Sequence, residues 1–299
     1  MDLPDVLSAA FLVAVALVSL LSNALVLLCF LHSTEIRRQV PGVFVMNLSL
    51  CNILIALLNM PATTAGIIRR QQPFGDRWCS TVSFMDTFLT ANAMLSTAAL
   101  SIDRWIAVVF PLSYSSKMRY KDAAVMVCYS WMHSFTFSLT ALLFSWLRYS
   151  DAFASCILQR GGGDRLKFAV FTAVFHAGSF ALSLLTLCVT YLKVLQVARF
   201  HCKRIDVITM QTLFLLVDVH PKLVELLPFV DVNRRWGIIS KCLTYSKAAS
   251  DPFAYSLLRQ QYKKVALRVF NRLLRRNLPS SDHNSSLDTE SDYCLQRVS

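Results

Sequence analysis

Residues 79–112 read CSTVSFMDTFLTANAMLSTAALSIDRWIAVVFPL, and this stretch decides the fold of the chain. A single carboxylate, Asp86, lies in its apolar middle, and the acid-base pair Asp103-Arg104 follows near its end. A helix rises about 1.5 Å per residue, so Cys79 and Asp103 would lie roughly 36 Å apart, the span of a bilayer core plus one interface. The stretch therefore predicts a membrane-crossing helix with Cys79 on one side and Asp103 on the other.

The composition of the whole chain indicates a multi-span membrane protein. Of its 299 residues, 55% are hydrophobic and only 16% are charged, which is too apolar for an ordinary soluble domain. The mean hydropathy of +0.48 agrees with this interpretation. Basic residues account for the net charge of +12, but they flank the apolar runs and concentrate in one C-terminal stretch. We interpret this charge as a signal of membrane topology, not of nucleic-acid binding.

Apolar runs along the chain predict the membrane spans. The first run follows Asp2 and Asp5 and lacks a basic segment before it, so we interpret it as an anchor and not as a cleaved signal peptide. Arg37 and Arg38 come directly after it, which places the N-terminus outside the cell by the positive-inside rule. The predicted spans are at about 8–31, 43–68, 80–109, 123–147, 167–198 and 236–258, with a weaker run at 207–230.

Several short motifs lie at the ends or in the middle of these spans. They are Cys79, Asp103-Arg104, Pro111-Leu112, Trp131 and the sequence DPFAY at Asp251–Tyr255. This set resembles the rhodopsin-like (class A) G-protein-coupled receptors, of the kind without an identified ligand, over residues 8–200 and 226–276. One departure is Trp105, which stands where the family's Glu/Asp-Arg-Tyr motif has tyrosine. The resemblance implies an all-α, seven-transmembrane helix bundle with an amphipathic eighth helix.

The resemblance also implies roles for individual residues. Cys79 would tie the third helix to the second outer loop, and Cys156 is its expected disulfide partner, because only these two cysteines fall at predicted outer ends of helices. The expected G-protein-coupling face and activation switch lie at the inner ends of the helices. They comprise Asp103, Arg104, Leu112, Tyr191, Asp251, Pro252 and Tyr255.

A carboxylate inside a membrane helix is a functional candidate by default. Asp86 matches the position where amine receptors hold the ligand's ammonium group, and Tyr245 and Ser179 complete the expected ligand pocket. The alternative is a structural role for Asp86, in which it pairs with Lys241, Lys247 or His176. The ligand is therefore left unassigned, with an amine as one candidate.

The family's sodium site is altered in this chain. Asn52 stands where the second helix of the family carries a sodium-binding aspartate, and a neutral amide adds no charge to hold the ion. Lys247 and Asp251 are four residues apart and share one face of a helix. We hypothesise that the Lys247 ammonium takes the role of the sodium ion, which would make the receptor insensitive to sodium.

Most of the sixth helix of the family is missing. The region 200–235 lacks the Phe-x-x-x-Cys-Trp-x-Pro motif, and its apolar runs at 207–217 and 226–230 are separated by ionisable residues at 218–225. Without a crossing at 207–230 there would be six spans, and the basic C-terminus would lie outside, against the positive-inside rule. Either 207–230 forms an atypical sixth membrane span, or the chain has an altered membrane topology.

This departure leaves rival functions open. The first rival is a truncated, non-signalling receptor form that acts by pairing with membrane partners. A second is a small transporter or channel, suggested by Asp86, Lys247 and Asp251 within the membrane, although no internal repeat is visible. No catalytic or phosphate-binding motif occurs, so an enzyme is not expected, and no cofactor or metal is expected either.

The C-terminal region contains two further predicted segments. Residues 259–276 alternate basic and apolar side chains, as in an amphipathic helix on the inner leaflet, and residues 277–299 form a polar tail expected to be disordered in the cytoplasm. We expect a plasma-membrane receptor that relays an extracellular or constitutive signal to a heterotrimeric G protein. Arrestin and receptor kinases at the tail, and a second receptor molecule, are further candidate partners.

Overall fold

The computed structural model describes residues 2–72, 75–159, 165–176, 185, 186, 188–190, 192, 233–257 and 259–277. Helices make up nearly all of this part of the chain. The weak span at 207–230 lies outside the described residues, as does almost all of the tail at 277–299.

The first two long helical runs are the most apolar. Helix α1 spans Leu3–His32, and the second run consists of α3 (Val40–Leu54), a π-helical turn (Ile55–Asn59) and α4 (Met60–Arg69). Both runs are 30 residues long, with peak hydropathies of 2.6 and 2.0, and are therefore long and apolar enough to cross a bilayer. A short helix, α2 (Thr34–Arg38), connects them.

The π-helical turn has a cause in the sequence. Pro61 has no backbone N–H and its ring crowds the preceding turn, so the regular hydrogen-bond ladder cannot pass through it. The chain adjusts by widening the turn over Ile55–Asn59. Single π turns of this kind are frequent at functional sites.

Helix α5 (Gly75–Val109) lies at the centre of the bundle. Every residue from Leu89 to Ser101 is buried, and this helix packs against α3 on one side and α7 (Tyr120–Leu143) on another. Many of these buried residues are Ala, Ser or Thr, whose small side chains let helix backbones approach closely. The 3₁₀ turn Pro111–Ser113 and the short helix α6 (Tyr114–Lys117) follow it.

A β-hairpin follows α7. The helix ends at Leu143, short of the predicted boundary at 147, because the chain reverses through Ser145 in a left-handed conformation. Strands β1 (Leu147–Ser150) and β2 (Ser155–Leu158) then pair antiparallel. Cys156 on β2 forms a disulfide with Cys79 on α5, which confirms the predicted bridge.

The remaining described helices complete the bundle. Helix α8 (Arg165–His176) packs Phe168 on Trp146 beside the hairpin, with ring centroids 5.2 Å apart. Helix α9 (Arg234–Pro252) lies between α1 and α3 and continues into a second π turn, Phe253–Leu257. Helix α10 (Gln260–Asn277) is amphipathic, with its apolar stripe of Tyr262, Val265 and Val269 buried in the main core.

Candidate functional site

An ion pair lies near the outer end of the bundle, between α5 and α9. Lys241 Nζ is 2.8 Å from Asp86 Oδ2, and the two side chains are only 9% and 13% exposed. The other carboxylate oxygen accepts from Asn59 Nδ2 at 3.1 Å and from the Tyr245 hydroxyl at 3.3 Å. We call Asp86, Lys241, Tyr245 and Asn59 the outer ion pair cluster.

The local structure explains how these groups meet. Lys241 and Tyr245 are one turn apart on α9 and therefore share a face, which places the ammonium 5.4 Å from the Tyr245 ring centroid. The Tyr245 hydroxyl also lies 3.2 Å from Thr63 Oγ1 on α4. Asn59 is the last residue of the first π turn. The π turn and α9 thus contact the Asp86 carboxylate directly, and α4 is linked to it through Tyr245.

This arrangement bears on the sequence-based alternatives for Asp86. Of the three structural partners considered, Lys241 is the one in contact; Lys247 pairs with a different acid, and the position of the His176 side chain is not among the described features. Ser179 lies outside the described residues. The Asp86 charge is thus already balanced by a cation of the chain itself.

A second polar cluster, which we call the midplane lysine cluster, lies deeper between α3, α5 and α9. Lys247 Nζ is 3.1 Å from Asp251 Oδ2 and 3.3 Å from Thr97 Oγ1. Asn52 Nδ2 donates to the same carboxylate oxygen at 3.1 Å. Asn23 Nδ2 on α1 donates to the Ala248 carbonyl oxygen at 3.0 Å and closes the cluster. The Lys247 ammonium therefore lies among oxygen atoms at the altered sodium site.

A hydrogen-bond network links α3, α5 and α7 nearby. Asn47 Nδ2 donates to Asn92 Oδ1 at 2.8 Å and to Ser96 Oγ at 2.7 Å, and Trp131 Nε1 donates to Asn47 Oδ1 at 2.8 Å. The Ser130 hydroxyl also donates to Asn92 Oδ1, at 3.2 Å. This network gives the fourth-helix tryptophan a defined structural partner. Asn92 was not singled out by the sequence, because one amide in an apolar run carries no positional signal.

The acid-base pair Asp103-Arg104 near the C-terminal end of α5 is not joined by a hydrogen bond. Asp103 is buried, and its Oδ1 accepts from the Tyr114 hydroxyl at 2.6 Å. Arg104 Nη2 lies 3.6 Å from Asp103 Oδ2, beyond hydrogen-bonding distance. Within the described part of the chain, Nε and Nη2 of Arg104 are buried and have no hydrogen-bond partner, whereas the side chain as a whole is 40% exposed.

Arg104 opens into a cleft that we call the basic cleft. The cleft is lined by the loop before α3, by α6 and the start of α7, and by the start of α10. Burial and the nearby Arg104 charge lower the pKa of the Arg259 guanidinium to about 10. Burial, followed by the hydrogen bond to Asp103, raises the pKa of Tyr114, so its hydroxyl stays a donor at neutral pH. The charged and hydrogen-bonding residues that line the basic cleft include Arg38, Arg104, Tyr114, Arg119, Arg259 and Gln260.

The other predicted switch residues lie at the same end of the bundle or outside the described chain. Leu112, in the 3₁₀ turn after α5, is 98% exposed. Pro252 ends α9, and Tyr255 is buried in the second π turn. Tyr191 lies outside the described residues.

Comparison with known proteins identifies the class. The family model of the seven-transmembrane receptors of the rhodopsin family matches residues 22–255. The chain therefore belongs to the rhodopsin family of seven-transmembrane receptors, which are multi-pass proteins of the plasma membrane that couple to G proteins and are not enzymes.

Individual receptors are similar over nearly the whole chain. Human G-protein coupled receptor 26 is 53% identical over 322 aligned positions, which cover 95% of each chain. Human G-protein coupled receptor 78 is 42% identical over 358 positions, covering 98% of this chain and 99% of that receptor. Both alignments are longer than the 299 residues of this chain, so both relatives have residues where this chain has gaps. The rat histamine H2 receptor is more distant, at 27% identity over 65% of this chain.

Proposed function

We propose that this receptor, whose ligand is unidentified, engages a heterotrimeric G protein through the basic cleft, with Arg104 as the central contact. The observation that carries this proposal is the state of the acid-base pair: Tyr114 holds Asp103, while Arg104 Nη2 lies 3.6 Å from that carboxylate and the Arg104 side chain, 40% exposed, lines the cleft. A guanidinium in this position suits carbonyl or carboxylate oxygens at the C-terminal end of a partner helix, which carries partial negative charge.

The first test is nucleotide exchange on purified G proteins by membranes that contain the receptor. We expect Leu112→Ala to reduce exchange several-fold, because this apolar side chain is 98% exposed two residues before Tyr114 of the cleft and would be covered by a bound partner. Arg104→Gln should abolish exchange. Leu143→Ala is the matched control, since Leu143 is 73% exposed at the opposite end of α7. Equal exchange by the Leu112 variant and the control would contradict the coupling face.

We also propose that the chain between Leu192 and Asn233 crosses the membrane. Thr190 Oγ1 lies 3.4 Å from the Ser101 carbonyl oxygen, near the Asp103 end of α5. Arg234 Nη1 instead donates to the Asp151 carbonyl oxygen in the hairpin, at the Cys79 end. The two described ends thus lie at opposite ends of the bundle. A crossing between them, at the weak span 207–230, would give the extracellular N-terminus, the cytoplasmic C-terminus and the domain boundaries expected from the sequence.

The midplane lysine cluster supports the proposal that Lys247 replaces the sodium ion. Its ammonium contacts Asp251 and Thr97 and occupies the position where a bound cation would balance the buried carboxylate. Asn52 completes the coordination of Asp251 as a neutral donor.

The ligand is less constrained. An amine would have to displace Lys241 from Asp86, so the outer ion pair cluster disfavours the amine interpretation even though the distant relative is named for histamine.

Arrestin, receptor kinases and a second receptor molecule stay proposed partners. Because region 200–235 lacks the sixth-helix motif, a non-signalling form stays the second candidate function.

A further inference from the structure

The tip of the β-hairpin, residues 151–154, rests on two glycines of different helices. A Cβ atom placed on Gly66 of α4 would lie 2.1 Å from the Ala154 carbonyl oxygen. One placed on Gly237 of α9 would lie 2.0 Å from the Ala152 carbonyl oxygen. Since real Cβ contacts are never this short, only glycine permits the tip to approach either helix so closely.

Further contacts hold the tip in this position. Arg234 Nη1 donates to the Asp151 carbonyl oxygen at 3.0 Å, while Phe153 and Ala154 are 4% and 0% exposed. Ala154 has a φ of +49°, a left-handed conformation that is strained for a residue with a Cβ. The docking contacts must therefore offset this strain.

The tip lies directly outward of the outer ion pair cluster. Gly66 is about one turn beyond Thr63 on α4, and Gly237 is one turn before Lys241 on α9. The disulfide between Cys79 and Cys156 fastens the hairpin to α5 about two turns above Asp86. A ligand approaching the cluster from outside between α4 and α9 would meet the tip first.

We propose that residues 151–154 are a tethered peptide ligand of this receptor, which sustains signalling without a diffusible agonist. This inference rests on the proposed G-protein coupling. The tip draws the outer ends of α4 and α9 together, as the outer ion pair cluster draws α5 to α9. In the same conformation the Arg104 side chain, 40% exposed, lines the basic cleft at the other end. The docked tip thus stabilises a conformation that is closed outside and ready to couple.

The test uses the full chain in membranes, without added ligand, and measures nucleotide exchange normalised to surface expression. Gly66→Val and Gly237→Val force the tip away, and both should lower basal exchange about fivefold or more, the lower end of typical coupling between two sites. Replacing residues 151–154 by Asn-Gly should have the same effect, because a two-residue turn keeps the strands and the disulfide but removes the docked tip. This last variant keeps the test valid if a valine variant fails to reach the surface.

Two further measurements separate the outcomes. Ala65→Val adds the same branched side chain one residue from Gly66, at a partly exposed position, and should leave basal exchange unchanged. Deuterium uptake by residues 151–154 should rise in the glycine variants and not in this control. If the tip is released but exchange stays equal or rises, the tethered-ligand inference is overturned while coupling stands. A wild-type receptor that is silent with every G protein would overturn the proposed coupling itself.

Discussion

Lys241 and Asp86 illustrate how strongly single residues shape this bundle. Both side chains are largely buried, and an ion pair in such surroundings is costly to break because the remaining charge is left without its partner. We expect Asp86→Asn and Lys241→Met each to lower the free energy of unfolding by about 3–5 kcal/mol. The double variant Asp86→Leu/Lys241→Met should recover most of this loss, since similar apolar side chains can replace a buried pair.

Thermal unfolding of the purified receptor in detergent measures these effects. Asp122→Asn is the matched control, because Asp122 forms an exposed pair with Arg119 at 3.2 Å and its loss should change stability little. Additive losses in the double variant would show that the two side chains do not act as a pair.

Lys247 gives the second prediction at this scale. In the wild type its ammonium occupies the space beside Asp251, so unfolding temperatures in sodium chloride and choline chloride should be equal. Lys247→Ser removes the ammonium but keeps an oxygen. The buried Asp251 carboxylate then lacks its ammonium partner and can bind sodium. We expect sodium to raise the unfolding temperature of this variant by about 2–4 °C. Lys264→Ser, on the exposed side of α10, is the control, and a sodium shift in the wild type would contradict the hypothesis.

The sequence predicts which residue types matter better than it predicts their partners. Asp86 was recognisable as a lone carboxylate in an apolar run, yet three cations were open as partners. The choice of Lys241 depends on the relative rotation of α5 and α9, which neither helix encodes alone. Asn59, Thr63 and Tyr114 were not singled out, because their importance arises only from neighbours in other segments.

At the scale of elements, hydrophobic runs predict helices but not their interruptions. The π turn at Ile55–Asn59 and the hairpin tip at 151–154 leave no periodic pattern, since both depend on local backbone adjustment. Pro61 interrupts the regular hydrogen-bond ladder, and the widened turn directly before it is the form that the adjustment takes. The turn matters for the site because Asn59 donates to Asp86 from its last position.

Helix α10 provides a prediction for one element. Val265 is 8% exposed and packs in the main core, whereas Leu267 is 61% exposed. Val265→Ala removes two buried carbon atoms and should lower the free energy of unfolding by about 1–2 kcal/mol. Leu267→Ala should leave unfolding unchanged but weaken binding of a 260–277 peptide to anionic vesicles, because this side chain is free to enter the leaflet. Equal vesicle binding by the wild-type and Leu267→Ala peptides would contradict a helix that lies on the membrane.

At the scale of the whole molecule, the basic cleft lies at one end of the bundle and the disulfide at the other. Arg38, Arg119 and Arg259 come from three distant segments and line the same cleft. Cys79 and Cys156 form their disulfide at the hairpin end, and disulfides persist in the oxidising extracellular environment. The positive-inside rule and the redox chemistry both support the proposed orientation, with the basic cleft in the cytoplasm.

This orientation predicts the side on which Ser299 lies. Helix α9 starts beside the hairpin, where Arg234 contacts Asp151, and the chain after it reaches the basic cleft at Arg259. A tag after Ser299 should therefore stain only after permeabilisation, while a tag before Met1 stains intact surface-expressing cells. Deleting residues 207–230 removes the proposed crossing and should move the C-terminal tag outside or stop surface expression. C-terminal staining of intact wild-type cells would mean an inverted α9, and the basic cleft could not then face a G protein.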